Sequence, residues 1–147
     1  MKVTNLKLLA TSDKDLRVIA AHLQDSIVLP KDVANLKKNR IFLIQLNRFM
    51  WEDVEKGVFR KNKRIRTVIK FDNVINVSSK NININHDKLF LDFLTIESNL
   101  LPDKSYEVNL IFSGDIIIKI NAEVIDVTLD DQGSPWESKT EPKHTFL

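Results

Sequence analysis

Hydrophobic positions along this chain follow two rhythms, and the change falls near residue 26. Before it, Leu16, Ile19, Ala20 and Leu23 recur at i, i+3, i+4 and i+7, the spacing that gathers side chains on one face of a helix. Ser12 precedes that run with Asp15 three residues on, a pattern that caps a helix by accepting from backbone N–H groups the helix leaves unpaired. The spacing predicts a helix over about residues 13–25, preceded by a strand in VTNLKLL at 3–9.

Beyond residue 26 the period shifts to two, the signature of strands. SIVL and DVANL flank Pro30 as short strands, KKNR is a polar turn, and IFLIQLNRFMW at 41–51 is the most apolar stretch. Alternation there sets Ile41, Leu43, Gln45, Asn47 and Phe49 on one face and Phe42, Ile44, Leu46, Arg48 and Met50 on the other. Both faces begin apolar and one end turns polar, as expected of a strand that starts inside and finishes near a rim. After a charged connection at 52–63, RIRTVIKF turns Ile65, Thr67, Ile69 and Phe71 inward and Arg64, Arg66, Val68 and Lys70 outward. VINVSS, NININ and LFLDFLTIE supply further strands. YEVNLIF and IIIKI read as a hairpin, with Gly114 as the first central residue of a type II′ turn. The run 122–129 is expected to prolong its second arm past a bulge near Asn121.

One helix and seven to nine strands in meander order predict an α+β, mainly β fold. The expected form is an antiparallel sheet or small barrel, with the helix over one face or opening. A parallel α/β architecture would need helical crossovers, and no second helix follows residue 26. A single globular domain is expected over 1–131. Residues 132–147, with Gly133, Pro135 and Pro142, read as an irregular tail pinned by Trp136.

Composition narrows the chemistry. The 147 residues include no cysteine, which excludes disulfides, cysteine-liganded zinc and a thiol nucleophile. Gly57, Gly114 and Gly133 stand apart, so neither a phosphate loop nor a dinucleotide fingerprint can be placed. His22, His86 and His144 show no ligand spacing, and neither metal nor cofactor is expected. No stretch matches a signal peptide or a membrane span, so the expected setting is the cytoplasm, with no membrane partner.

Net charge is +2, yet residues 1–70 carry 16 basic against 7 acidic side chains and residues 71–147 carry 6 against 13. That asymmetry fits an anionic partner on the basic half, or two halves that neutralise each other on folding. Lysine outnumbers arginine by 16 to 6 beside abundant Asn and Ile, the bias an A- and T-rich genome produces, so lysine content alone does not argue for nucleic acid.

Lys56, Arg60, Lys61, Lys63, Arg64 and Arg66 form the densest local signal, six basic residues in eleven positions. The last five are candidate nucleic-acid or anion-binding residues. Outward aromatics for stacking are missing, and charges along an exposed edge also serve to block aggregation. Trp51, with Arg48 beside it, is a candidate interaction surface for self-association or a partner, or else a lid on the core. His22 and Asp25 are pocket candidates, and with Ser26 they suggest a hydrolase triad, but no strained nucleophile turn or oxyanion hole accompanies them. The plainer reading has His22 and Asp25 finishing the helix.

AAHLQDS at 20–26, LNRFMWE at 46–52, IKFDNV at 69–74 and GSPW at 133–136 resemble a family of short alphaproteobacterial proteins known only as a domain of unknown function. The resemblance covers nearly the whole chain. It implies a cytosolic bacterial protein of one domain with no known cofactor and no catalytic residues to carry over. Three readings stand: a β-rich module that binds a protein or small ligand, self-association included; a nucleic-acid accessory protein using the basic segment; and an enzyme with a site near His22, Asp25 and Arg48.

Overall fold

The computed structural model describes residues 5–51, 63–82 and 90–137. Their elements are β1 (Lys7–Ala10), α1 (Asp13–Leu23), β2 (Ile27–Val28), β3 (Val33–Leu36), β4 (Ile41–Phe49) and β5 (Lys63–Phe71), then β6 (Val74–Lys80), β7 (Leu91–Leu100), β8 (Tyr106–Phe112), β9 (Ile116–Ala122) and β10 (Val127–Glu137). Short 3-10 turns at Pro30–Asp32 and Lys37–Asn39 bracket β3. The fold is α+β and mainly β, as the periodicity predicts. Every strand pair among the described residues is antiparallel.

The strands form one curled sheet in the order β1-β10-β5-β4-β2-β7-β8-β9-β6, with β3 paired to β4 off that path. The sheet is open, not a closed barrel. Among the described residues there are ten strands, where seven to nine were expected of the chain. The two-residue β2 joins the halves of the sheet: Ile27 faces Asn47 on one side and Asp92 on the other.

Ser12 caps α1 as read from the sequence. Its Oγ accepts from Asp15 N at 3.2 Å, and Asp15 Oδ2 accepts from Thr11 N at 3.0 Å. Leu16, Ile19, Ala20 and Leu23 are buried. The helix stops at Leu23, because Asp25 takes a left-handed conformation (φ 64°) and its N–H joins the Phe93 carbonyl at 3.0 Å. The apolar face meets side chains from both halves of the sheet, where Phe42–Phe71 and Phe93–Phe112 ring pairs lie 6.1 and 5.8 Å apart. Full burial of each such side chain contributes about 1.5–3 kcal/mol, so this shared interior holds the curl.

Several local expectations are corrected. The hairpin after β8 closes over three residues, Ser113–Asp115, with positive φ at both Gly114 (77°) and Asp115 (59°), so it is not the two-residue II′ turn. The bulge lies across from Asn121, on β6 between Val74 and Asn76. That one-residue shift lets Val74 and Val77 both meet the core although they are three apart. Strand β9 ends at Ala122. Glu123 N donates to Asn73 O at 3.0 Å and Asp72 N to Asp126 O at 2.9 Å, and this corner hands the chain to a separate strand, β10.

Nor does an irregular tail begin at residue 132. Strand β10 runs to Glu137, with Trp136 opposite Arg64 and Glu137 opposite Lys63 after a register shift that passes through Gly133 at φ 71°. Residues 138–147 lie outside the described residues, as does most of the predicted NININ strand. No helix among the described residues is long and apolar enough to cross a membrane.

Candidate functional site

The sheet interior holds one ion pair that the sequence reading did not foresee. Arg48 on β4 and Asp131 on β10 have side chains fully removed from solvent. Arg48 Nε donates to Asp131 Oδ1 at 2.8 Å and Nη2 to Oδ2 at 2.7 Å, a two-point match of guanidinium to carboxylate. Asp131 Oδ2 also accepts from Leu6 N at 2.8 Å, and Asp131 N donates to Leu6 O at 3.0 Å. Burial pushes the Asp131 carboxyl up, but the bonds from Arg48 and Leu6 and the Arg48 charge together hold it below the usual carboxylate range. The pair spans β5, since Thr67 faces Leu46 on one side and Asp131 on the other, and so it fastens three strands and the chain entering β1.

Arg48 was expected near a rim, as an interaction-surface and pocket residue. It lies instead on the buried face with Phe42, Ile44 and Leu46, committed to its carboxylate and away from any ligand in solution.

The other sequence candidates sit just outside this pair. Arg64 is half-buried, 5.8 Å over the Phe49 ring, and its Nη1 donates to Asn47 O at 3.1 Å and Asp25 O at 3.2 Å. Burial lowers its pKa from the ordinary arginine value, with Asp25 and Asp92 opposing. Trp51 stacks edge-on against Phe49 at 4.6 Å, and its indole Nε1 donates to Gln24 O at 2.8 Å, just past the end of α1. That contact fits the lid-like role.

The Asp25 carbonyl takes the Arg64 bond and that of its neighbour Gln24 the Trp51 bond, while His22 occupies the last turn of α1. Ser26 is fully buried and its Oγ has no hydrogen-bond partner, so the Ser–His contact that activates a nucleophile is missing. Among the described residues no group of three or more His, Cys, Asp or Glu side chains is placed to hold a metal ion. Of the basic segment, Arg60 and Lys61 lie outside the described residues, Lys63 and Arg64 are half-buried in β5, and Arg66 is exposed.

A cleft elsewhere has the form of a site. Among the described residues β3 pairs only with β4, and β6 pairs only with β9. Their other edges border two neighbouring cavities that share Val77. One, of about 190 Å³, is lined by Pro30, Val33, Phe42, Val77, Ile82, Leu91 and Ile118, with Ser78 and Ser79. The other, of about 460 Å³, is lined by Asn35, Lys37, Arg40, Val74, Ile75, Asn76, Val77 and Glu123.

Arg40 clips one end of the cleft. Its carbonyl accepts from Val74 N at 3.0 Å, its Nε donates to Val74 O at 3.3 Å, and its Nη2 meets Glu123 Oε1 at 2.7 Å. Leu36 and Ile75, one on each strand, are exposed apolar side chains. None of the cleft residues was a sequence candidate. The available signal was the pair of turns around β3, which cut a strand too short to bury its own edge.

No curated protein and no solved structure matches the chain. A family model does match, over residues 6–144, nearly the whole chain and every described element. The chain therefore belongs to the family described as Protein of unknown function (DUF2948).

Proposed function

We propose that this domain is a non-catalytic binding module and that its working element is the cleft between β3 and β6. The observation that carries the reading is the apolar cavity of about 190 Å³ set between two strand edges that have no partner among the described residues. Ligand sites are typically concave and mostly apolar, with a few polar groups to orient what enters. Phe42, Leu91 and Ile118 give this cleft an apolar floor, and Ser78 and Ser79 supply hydroxyls. The buried pair of Arg48 with Asp131 is consumed in fastening strands, which removes Arg48 from the enzyme reading. The setting we propose is the bacterial cytosol, where a cysteine-free domain gives up no disulfide.

The nucleic-acid reading rests on Arg60 and Lys61, outside the described residues, and on Lys63, Arg64 and Arg66 of β5, of which Arg66 is exposed. A fragment library screened by amide chemical shifts tests the cleft directly. Bound fragments are expected to move Val33, Val77, Ser78 and Ser79, and Val77→Trp, which fills the cavity, is expected to abolish those shifts. Fragments that collect elsewhere, or that bind a folded Val77→Trp variant unchanged, refute the proposal.

A further inference from the structure

We infer that the outward face of β6, β9, β8 and β7 holds a binding site of its own, one that takes a short zwitterion of about a dipeptide's length. A dish of about 290 Å³ lies there, with Ser78, Lys80, Glu97, Glu107, Asn109 and Lys119 in its lining. It is separate from the cleft, because β6 stands between them. Val77 and Ser79 lie opposite buried Ile120 and Ile118, whereas Ser78 and Lys80 lie opposite Lys119 and Ile117 on the other face. Each outer strand of this half carries a bulge, on β6 between Val74 and Asn76 and on β7 between Phe93 and Thr95. A bulge bends its strand, so both flanks bend where β8 and β9 between them stay in unbroken register.

The registers set the uncommitted charges at opposite rims. Ser78, Lys119, Asn109 and Glu97 form one row across the four strands, and Lys80, Ile117, Ile111 and Thr95 the next. Ile117 and Ile111 face each other in the middle, half-buried, as an apolar floor. Lys119 Nζ lies 3.4 Å from Glu107 Oε1, which also accepts from Asn109 Nδ2 at 3.1 Å, so these two charges are committed to each other. Lys80 at the β6 rim and Glu97 at the β7 rim are exposed and make no ion pair among the described residues. A ligand with a carboxylate at one end, an ammonium at the other and an apolar side chain between them answers Lys80, Glu97 and the isoleucines together. β6 and β7 lie three strand spacings apart, about 14 Å, and Lys80 and Glu97 line the dish from either side. The span between their charges suits a dipeptide, about 7 Å when extended, better than a free amino acid, whose two charges flank one carbon. Asn109 Oδ1 is buried without a hydrogen-bond partner, and a ligand N–H entering the dish supplies the donor it lacks.

Titration of the full chain with the dipeptide alanyl-leucine at low salt, followed by amide chemical shifts, tests the site. Shifts are expected to gather at Ser78, Ile111, Ile117 and Lys119. The N-acetyl form and the C-terminal amide of the dipeptide each lack one charge and should bind about two- to fivefold more weakly, the range open to an exposed ion pair. Free leucine should also bind more weakly. Lys80→Gln should weaken the dipeptide by the same factor and leave its amide form unchanged. Glu97→Gln should weaken it likewise and leave the N-acetyl form unchanged. Both are surface substitutions, and neither should move the melting temperature. No saturable shift at millimolar dipeptide, shifts that gather outside the dish, capped forms or leucine that bind as well as the parent, or variants that weaken every ligand alike overturn the inference. The cleft reading is probed at Val33 and Val77, which the dipeptide should leave in place, so the two stand or fall separately.

Discussion

Removing the Asp131 carboxylate is the sharpest perturbation the fold offers. In Asp131→Ala, the guanidinium of Arg48 stays at zero exposure without the two oxygens that meet it at 2.7 and 2.8 Å, and Leu6 N loses its 2.8 Å acceptor. Breaking a buried pair by taking one partner costs about 3–5 kcal/mol, and an orphaned buried amide about 1–3 kcal/mol. The two penalties overlap, so the expected loss is about 4 kcal/mol, a large share of the ~5–15 kcal/mol that holds a domain of this kind folded. Arg48→Met should cost about as much, since it strands the carboxylate. The double variant Arg48→Met with Asp131→Leu removes both charges together and leaves the Leu6 amide without its acceptor. It should cost roughly 1–3 kcal/mol, less than either single change.

Urea unfolding at neutral pH, followed by tryptophan fluorescence at constant m, measures all four corners of this cycle. A single-variant cost below about 1 kcal/mol, the range of solvent-exposed pairs, would refute the picture of a desolvated pair. So would a double variant whose loss equals the sum of the two singles.

Four further outcomes follow from named contacts. Asp131 is held below its ordinary value in the folded state, so the unfolded chain takes up its proton first as pH falls; this group's contribution is complete above about pH 4 and is lost as pH drops from there through the lower folded value. Asp131→Asn should therefore flatten the acid limb of stability against pH, measured by urea midpoints from pH 6 downward. Trp51→Phe keeps a ring beside Phe49 but deletes the 2.8 Å bond to Gln24 O, and should cost about 1 kcal/mol in the same assay. Ser12→Ala removes the acceptor for Asp15 N and should lower stability by about 1 kcal/mol, visible as a fall in melting temperature. Exposed Arg66→Gln should stay within about 0.5 kcal/mol of the parent, whereas Arg64→Ala, which removes a donor from two carbonyls and the guanidinium from over Phe49, should cost about 1–3 kcal/mol.

The parts of this fold legible in the sequence are those whose cause is local. Ser12, Asp15 and the spacing of Leu16, Ile19, Ala20 and Leu23 act within a few residues, and the inward set Ile65, Thr67, Ile69 and Phe71 is buried as its alternation requires. The run 122–129 misled because its apolar alternation continues through a corner, and that corner is made by bonds to Asp72 and Asn73 on a distant turn.

Arg48 misled for a subtler reason. A lone charge at the end of an apolar strand face looks like a rim, but Arg48 continues the inward phase of Phe42, Ile44 and Leu46, and Asp131 continues that of Val127 and Leu129. Opposite charges that each extend the buried phase of a strand, here 83 residues apart, are the mark of a buried pair, because neither could remain inside alone. No comparable mark exists for the cleft. Alternation records which way side chains face and is the same for a paired strand as for an unpaired one, whereas the edges of β3 and β6, unpaired among the described residues, are a property of backbone partners. Their nearest trace is in composition: polar Asn76, Ser78, Ser79 and Lys80 along β6 are what keeps a free edge from recruiting at random. Exposed Ile75 on β6 and Leu36 on β3 interrupt that polar cover.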